Sequence, residues 1–129
     1  MEIEDFIYIV ETEKSFDEAV VSVLKAVESL GWTLFNVYDI RERLAAKGFK
    51  QEPLKIIEIC SGKYADAFLN ENKLISLCMP CKINVFEERG KVKIAGMMPT
   101  IMSEFFKEIK RDEVKKVEEV IKEIINNSK

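Results

Sequence analysis

Residues 15–31, SFDEAVVSVLKAVESLG, carry the strongest constraint on this chain: a helix that is apolar along one stripe only. Ser15 and Glu18 have capping-box spacing, so the pair can satisfy two of the first orphan N–H groups. Phe16, Val20, Val23, Leu24, Val27 and Leu30 recur at helical spacing, and Gly31 supplies the stop. A second helix of the same kind closes the sequence. Asp112 is its expected N-cap, and Val114, Val117, Val120, Ile121 and Ile124 form its apolar stripe. Neither helix is hydrophobic all round. Each must therefore lay its stripe on a core that the rest of the chain supplies.

The rest of the chain reads mostly as strands. IEDFIYIVETE is rich in β-branched and aromatic residues and is the expected first strand. WTLFNVYDI follows, with Phe35 and Val37 on one face and Leu34 and Tyr38 on the other. RERLAAKG is a short helix ended by Gly48, and LKIIEIC after Pro53 is a third strand. SGKYADAFLNEN is a short helix with Ser61 at its N-cap, and LISLC reads as β-strand. KINVFEERGKVKIAG is a hairpin turning at Arg89–Gly90, and a turn or two of helix follows Pro99. The order predicts an α+β fold in a single domain, residues 1–129. Two long helices, near 15–30 and 112–126, pack on one face of a mostly antiparallel sheet. That sheet contains the segments around 4–11, 33–40, 54–60, 81–87 and 91–97.

Composition excludes several functions. The chain has no histidine, which removes Ser-His-Asp and Cys-His catalysis, His-ligated haem and His-dependent zinc motifs. Twenty basic and 23 acidic side chains give a net charge of −3, and the charges interleave, as in KEIKRDEVKKVEEVIKE. That pattern is a solvated helix face, not a nucleic-acid-binding surface. No apolar run is long enough to cross a bilayer, and MEIEDF lacks the features of a signal peptide. A cytoplasmic location with three reduced cysteines is the corresponding expectation. Five scattered glycines form no phosphate-cradling loop.

Chemistry concentrates in Cys60 and in Cys78-Met79-Pro80-Cys81. A thioredoxin-type CxxC stands at a helix N-terminus, which stabilises the thiolate, whereas Cys81 is followed by the strand pattern KINVF. Metal binding is the better use of these atoms. Cys60, Cys78 and Cys81 could wrap a soft ion, Zn or Cu(I), with Glu58 or Asp66 as a weaker carboxylate ligand, and Met79, Met97 and Met98 would favour Cu(I). The competing reading treats all three cysteines as small buried hydrophobes at strand ends. Glu58, a carboxylate inside IIEIC, is expected to face solvent from a sheet edge. Met97, Met98, Met102, Phe105 and Phe106 either line an apolar pocket or belong to the core, and at this spacing the core is expected.

The stretch LKIIEICSGKYADAFLNENKLISLCMPCKINVFEERGKVKIAGMMP resembles the domain of unknown function 302 family. The shared features are a strand ending in Cys, a short helix, a PC that starts a strand, a hairpin, and a proline before the last helices. With the opening strand and the SFDEAV helix, the resemblance spans nearly the whole chain. It implies a sheet-and-helix arrangement similar to that of the TATA-binding protein, with antiparallel strands, and it implies no reaction and no catalytic residue. Family members are expected to have CNP where this chain has Cys60-Ser61-Gly62, and Cys78 elaborates the PC into CxxC.

These readings converge on a small binding domain rather than a conventional enzyme. Its expected cargo is a soft metal or a sulfur species held at Cys60, Cys78 and Cys81, and a persulfide on Cys81 is one form, since the family's PC falls there. Cys60 and Cys81 are expected close enough to share an ion. The alternative is a non-catalytic module that binds a small apolar ligand or a protein partner, with purely structural cysteines. Exposed sheet edges and an odd cysteine count make a homodimer the expected association, with no nucleic-acid or membrane partner.

Overall fold

The computed structural model describes residues 2–129. Five strands, β1 (Ile7–Thr12), β2 (Thr33–Asp39), β3 (Leu54–Cys60), β4 (Cys81–Glu88) and β5 (Lys91–Met97), form one sheet in the order β1-β5-β4-β3-β2. Every neighbouring pair is antiparallel. Helix α1 (Phe16–Ser29) carries the chain from one edge strand, β1, to the other, β2. The chain continues through α2 (Ile40–Ala45), α3 (Gly62–Glu71), α4 (Met102–Phe105) and α5 (Arg111–Ser128). Among the described residues, no helix is long and apolar enough to cross a membrane.

The two long helices pack against each other and on the same side of the sheet. The period of two along the strands explains why. Ile57 and Ile59 on β3, Ile83 and Val85 on β4, and Val92 and Ile94 on β5 alternate with more exposed residues and are all buried. Val20, Val23 and Val27 of α1 meet them together with Val114, Val117, Ile121, Ile124 and Ile125 of α5. Gly96 permits the close approach of α5. A Cβ at this position would stand 3.0 Å from Ile125 Cδ1 and 3.3 Å from Ile121 Cγ2. The C-terminal end of α5 is tied to β1 by the Tyr8 hydroxyl, which donates to Asn126 Oδ1 at 2.8 Å, and to the following loop by Lys14 Nζ, which donates to the Ser128 carbonyl at 3.1 Å.

Local signals place most boundaries. Ser15 Oγ accepts from the Glu18 N–H at 3.2 Å, and the Glu18 carboxylate accepts from the Ser15 N–H at 3.4 Å, which completes the capping box. The β4–β5 turn has positive φ at both Arg89 and Gly90, the geometry that matches the twist of a two-residue hairpin.

Four local expectations are corrected, and one is refined. Helix α5 starts at Arg111 with Lys110 at the N-cap, so Asp112 lies in the first turn, where its charge complements the helix dipole. Ser61 is the N-cap of α3 as expected, although its side chain makes no capping hydrogen bond. The first strand begins only at Ile7, after a 3-10 turn at Ile3–Asp5. In β2 the pairing steps from Leu34↔Ile59 to Asn36↔Glu58, leaving Phe35 as the extra, exposed residue of a bulge. The bulge reverses the pleat, so Leu34 and Tyr38 do not share a face. Finally, LISLC is not a strand: Lys73–Cys78 is a 3-10 helix, started by Asn72 Oδ1 accepting from the Leu74 N–H at 2.9 Å. A leucine-rich segment behind an Asn cap satisfies its own backbone locally, and only Ile75 in it is buried.

Candidate functional site

The helices cover one face of the sheet. The other face presents Ile7 and Ile9 of β1, Ala95 and Met97 of β5, Lys82 and Asn84 of β4, and Ile56 and Glu58 of β3, in register across the strands. At one end Leu77, Cys78 and Pro80 border this face. A cleft of about 450 Å³ forms there. Phe6, Ile7, Leu77, Ala95, Met97 and Pro99 supply apolar lining, and the polar groups are Cys78, Cys81, Lys82 and Asn84. A largely apolar concavity of this size with a few placed polar groups suits a small molecule.

Asn84 is the anomaly in the cleft. Its Oδ1 is buried and has no hydrogen-bond partner. Its register neighbours are Ala95 on β5 and Ile56 on β3, and neither side chain can donate. An orphaned acceptor of this kind costs about 1–3 kcal/mol. The sequence carries a trace of it. KINVF alternates, which puts Lys82 and Asn84 on the face opposite Ile83 and Val85, and Asn is disfavoured within strands. Sequence reasoning passed over both residues, along with Leu77, because the cysteines beside them drew the chemistry.

The three cysteines do lie near one another. Cys60, Cys78 and Cys81 line a second, much smaller cavity of about 30 Å³ behind the cleft, with Trp32, Tyr64, Phe68, Met79 and Met102. Cys78, Pro80 and Cys81 border both cavities and so form the wall between them. All three thiols are free. Cys81 stands opposite Ile59, the residue before Cys60 on the adjacent strand. Among the described residues, no group of three or more Cys, Asp or Glu side chains is arranged to hold a metal ion.

The remaining candidates separate. Glu58 is not at an edge: β3 is an interior strand, and Glu58 stands half-buried between Asn36 of β2 and Lys82 of β4. Met98 and Met102 are buried in the core and Phe106 packs against it. Met97 and Phe105 are exposed, and Met97 forms part of the cleft.

The family model described as "Domain of unknown function DUF302" matches residues 8–128. The chain belongs to this family. No curated protein matches it. The DUF302 fold itself is similar to the crystal structure of the uncharacterized conserved protein DUF302 from Bacillus stearothermophilus. The two are 23% identical, the match covers 96% of this chain and 98% of that one, and the TM-score is 0.88.

Burial sets the protonation of two of the DUF302 thiols. Burial pushes the Cys81 thiol up to about 11, with the negative charge of a Cys60 thiolate adding to the shift and Lys82 opposing it. Burial also raises Cys60. Near neutral pH both are protonated, and a protonated thiol is a poor nucleophile and must release its proton to bind a metal.

Proposed function

We propose that this DUF302 chain is a non-catalytic binding domain for a small, largely apolar molecule that carries a hydrogen-bond donor. The molecule occupies the 450 Å³ cleft on the sheet face away from the helices. The single observation behind this reading is that Asn84 lines the cleft while its Oδ1 is buried beneath it without a partner. The terminal amide torsion of asparagine is soft, so Asn84 can turn its oxygen toward a ligand donor and recover the cost of the missing partner. The apolar lining contributes affinity through burial, and the amide selects orientation.

A soft ion or sulfur species at Cys60, Cys78 and Cys81 is less well supported. The shared small cavity favours it, while the protonated state of Cys60 and Cys81 and the lack of a converging ligand set do not. The cysteines on this reading pack the wall of the cleft. The two edge strands, β1 and β2, leave backbone groups for a second copy, so a homodimer is the proposed association.

The test compares two probes of nearly equal shape, 2-naphthol and 2-methylnaphthalene, by titration calorimetry. The hydroxyl compound should bind at least several-fold tighter, and Asn84→Leu should abolish or invert the preference. Equal affinities for the two probes, or no saturable binding of either, would refute the reading.

A further inference from the structure

We infer that the ligand of the cleft is a small monocarboxylic acid: an apolar body with its carboxylate held by Lys82 and a hydrogen-bond donor at the far end received by Asn84. This inference rests on the small-ligand reading above and names its substrate class. Lys82 lines the same cleft as Asn84, two residues earlier on β4 and on the same face. Its stem springs from the strand about 6.5–7 Å from Asn84, and the four-carbon chain lengthens the span that the two groups can bridge. The Lys82 ammonium forms no ion pair among the described residues, even though Glu58 stands opposite it on β3. The cation is therefore available to a ligand.

The number of donors sets the kind of anion. A phosphate is usually held by several N–H groups at a helix N-terminus or by an arginine fork. The cleft has one lysine, no arginine, and a lining that is otherwise apolar. One point charge suits a monoanion, and a carboxylate on an apolar body matches it. Glu58 disfavours that same anion by repulsion from the neighbouring strand, so its removal should strengthen acid binding.

The experiment uses three probes on the full chain at low ionic strength: 6-hydroxy-2-naphthoate, 2-naphthoate and 2-naphthol. The hydroxy acid is expected to bind about fivefold tighter than 2-naphthol. In Lys82→Met the hydroxy acid should bind no tighter than 2-naphthol measured on the same variant, Lys82→Arg should retain the advantage, and Glu58→Gln should enlarge it. Added salt should weaken the acid alone. Lys82 is exposed, so its variants should keep the wild-type unfolding midpoint. An acid that binds no tighter than 2-naphthol, or an advantage that survives in Lys82→Met, overturns the inference and leaves the small-ligand reading standing. Failure of 2-naphthol itself to bind would overturn both.

Discussion

Asn84 stands between Ala95 on β5 and Ile56 on β3, and neither neighbour offers its amide oxygen a hydrogen. If that arrangement is kept for a ligand, the ligand-free protein is less stable than it could be. Asn84→Leu should then stabilise the empty protein by about 1–2 kcal/mol. An upward shift of the urea unfolding midpoint with an unchanged slope would register the gain. A downward shift would mean that the amide makes interactions worth more than its missing partner.

Gly96 lies beneath α5, where a methyl group would press on Ile125 and Ile121. Both are fully buried and cannot yield without disturbing the core. Gly96→Ala should cost about 1–3 kcal/mol through overpacking. Gly62, at which an added Cβ meets nothing within 4 Å, is the control. Its alanine variant should show a neutral or slightly raised midpoint. A Gly96→Ala protein of wild-type stability would mean that α5 sits farther from the sheet.

The raised Cys81 pKa has a sign that can be read in alkali. The unfolded thiol ionises near 9.0, while in the folded chain burial delays ionisation to about 11. Between these values the folded state holds a proton that the unfolded state has released, so stability is full below pH 9 and falls as pH rises toward 11. The loss is on the order of 2 kcal/mol by pH 11. Other groups titrate in this range, so the measurement is the difference between wild type and Cys81→Ala in urea midpoint from pH 8 to 11. Parallel curves for the two proteins would show that Cys81 ionises freely in the folded state.

Free strand edges and the homodimer proposal are checked by light scattering at micromolar concentration. A dimer mass is expected, falling toward the monomer on dilution. If β2 supplies the contact, proline in place of Val37 should remove it, because the Val37 N–H, which donates to Asn36 Oδ1 at 2.8 Å in the monomer, would no longer be there to pass to an added strand. A monomer mass across the whole concentration range would rule the dimer out.

Elements whose signals are local could be read directly from the order of residues. The Ser15–Glu18 capping box, the apolar stripes of α1 and α5, the Arg89–Gly90 turn and the alternation in KINVF each involve neighbours within one or two turns of chain, and each appears where it was read. The stripes also required one shared core, which put both long helices on the same face of the sheet. The ends of elements were less legible: the start of α5 moved off Asp112 to Arg111, and LISLC became a 3-10 helix behind Asn72. The remaining features depend on contacts between residues distant in sequence. The strand order β1-β5-β4-β3-β2 moved Glu58 from an expected edge to the interior of the sheet, and the bulge at Phe35 reversed the pleat of β2. The cleft arose because Asn84, Ala95 and Ile7, far apart in sequence, came into one patch bordered by Leu77. An asparagine's want of a partner depends on what stands beside it, and here the register of the paired strands chose Ala95 and Ile56 as its neighbours.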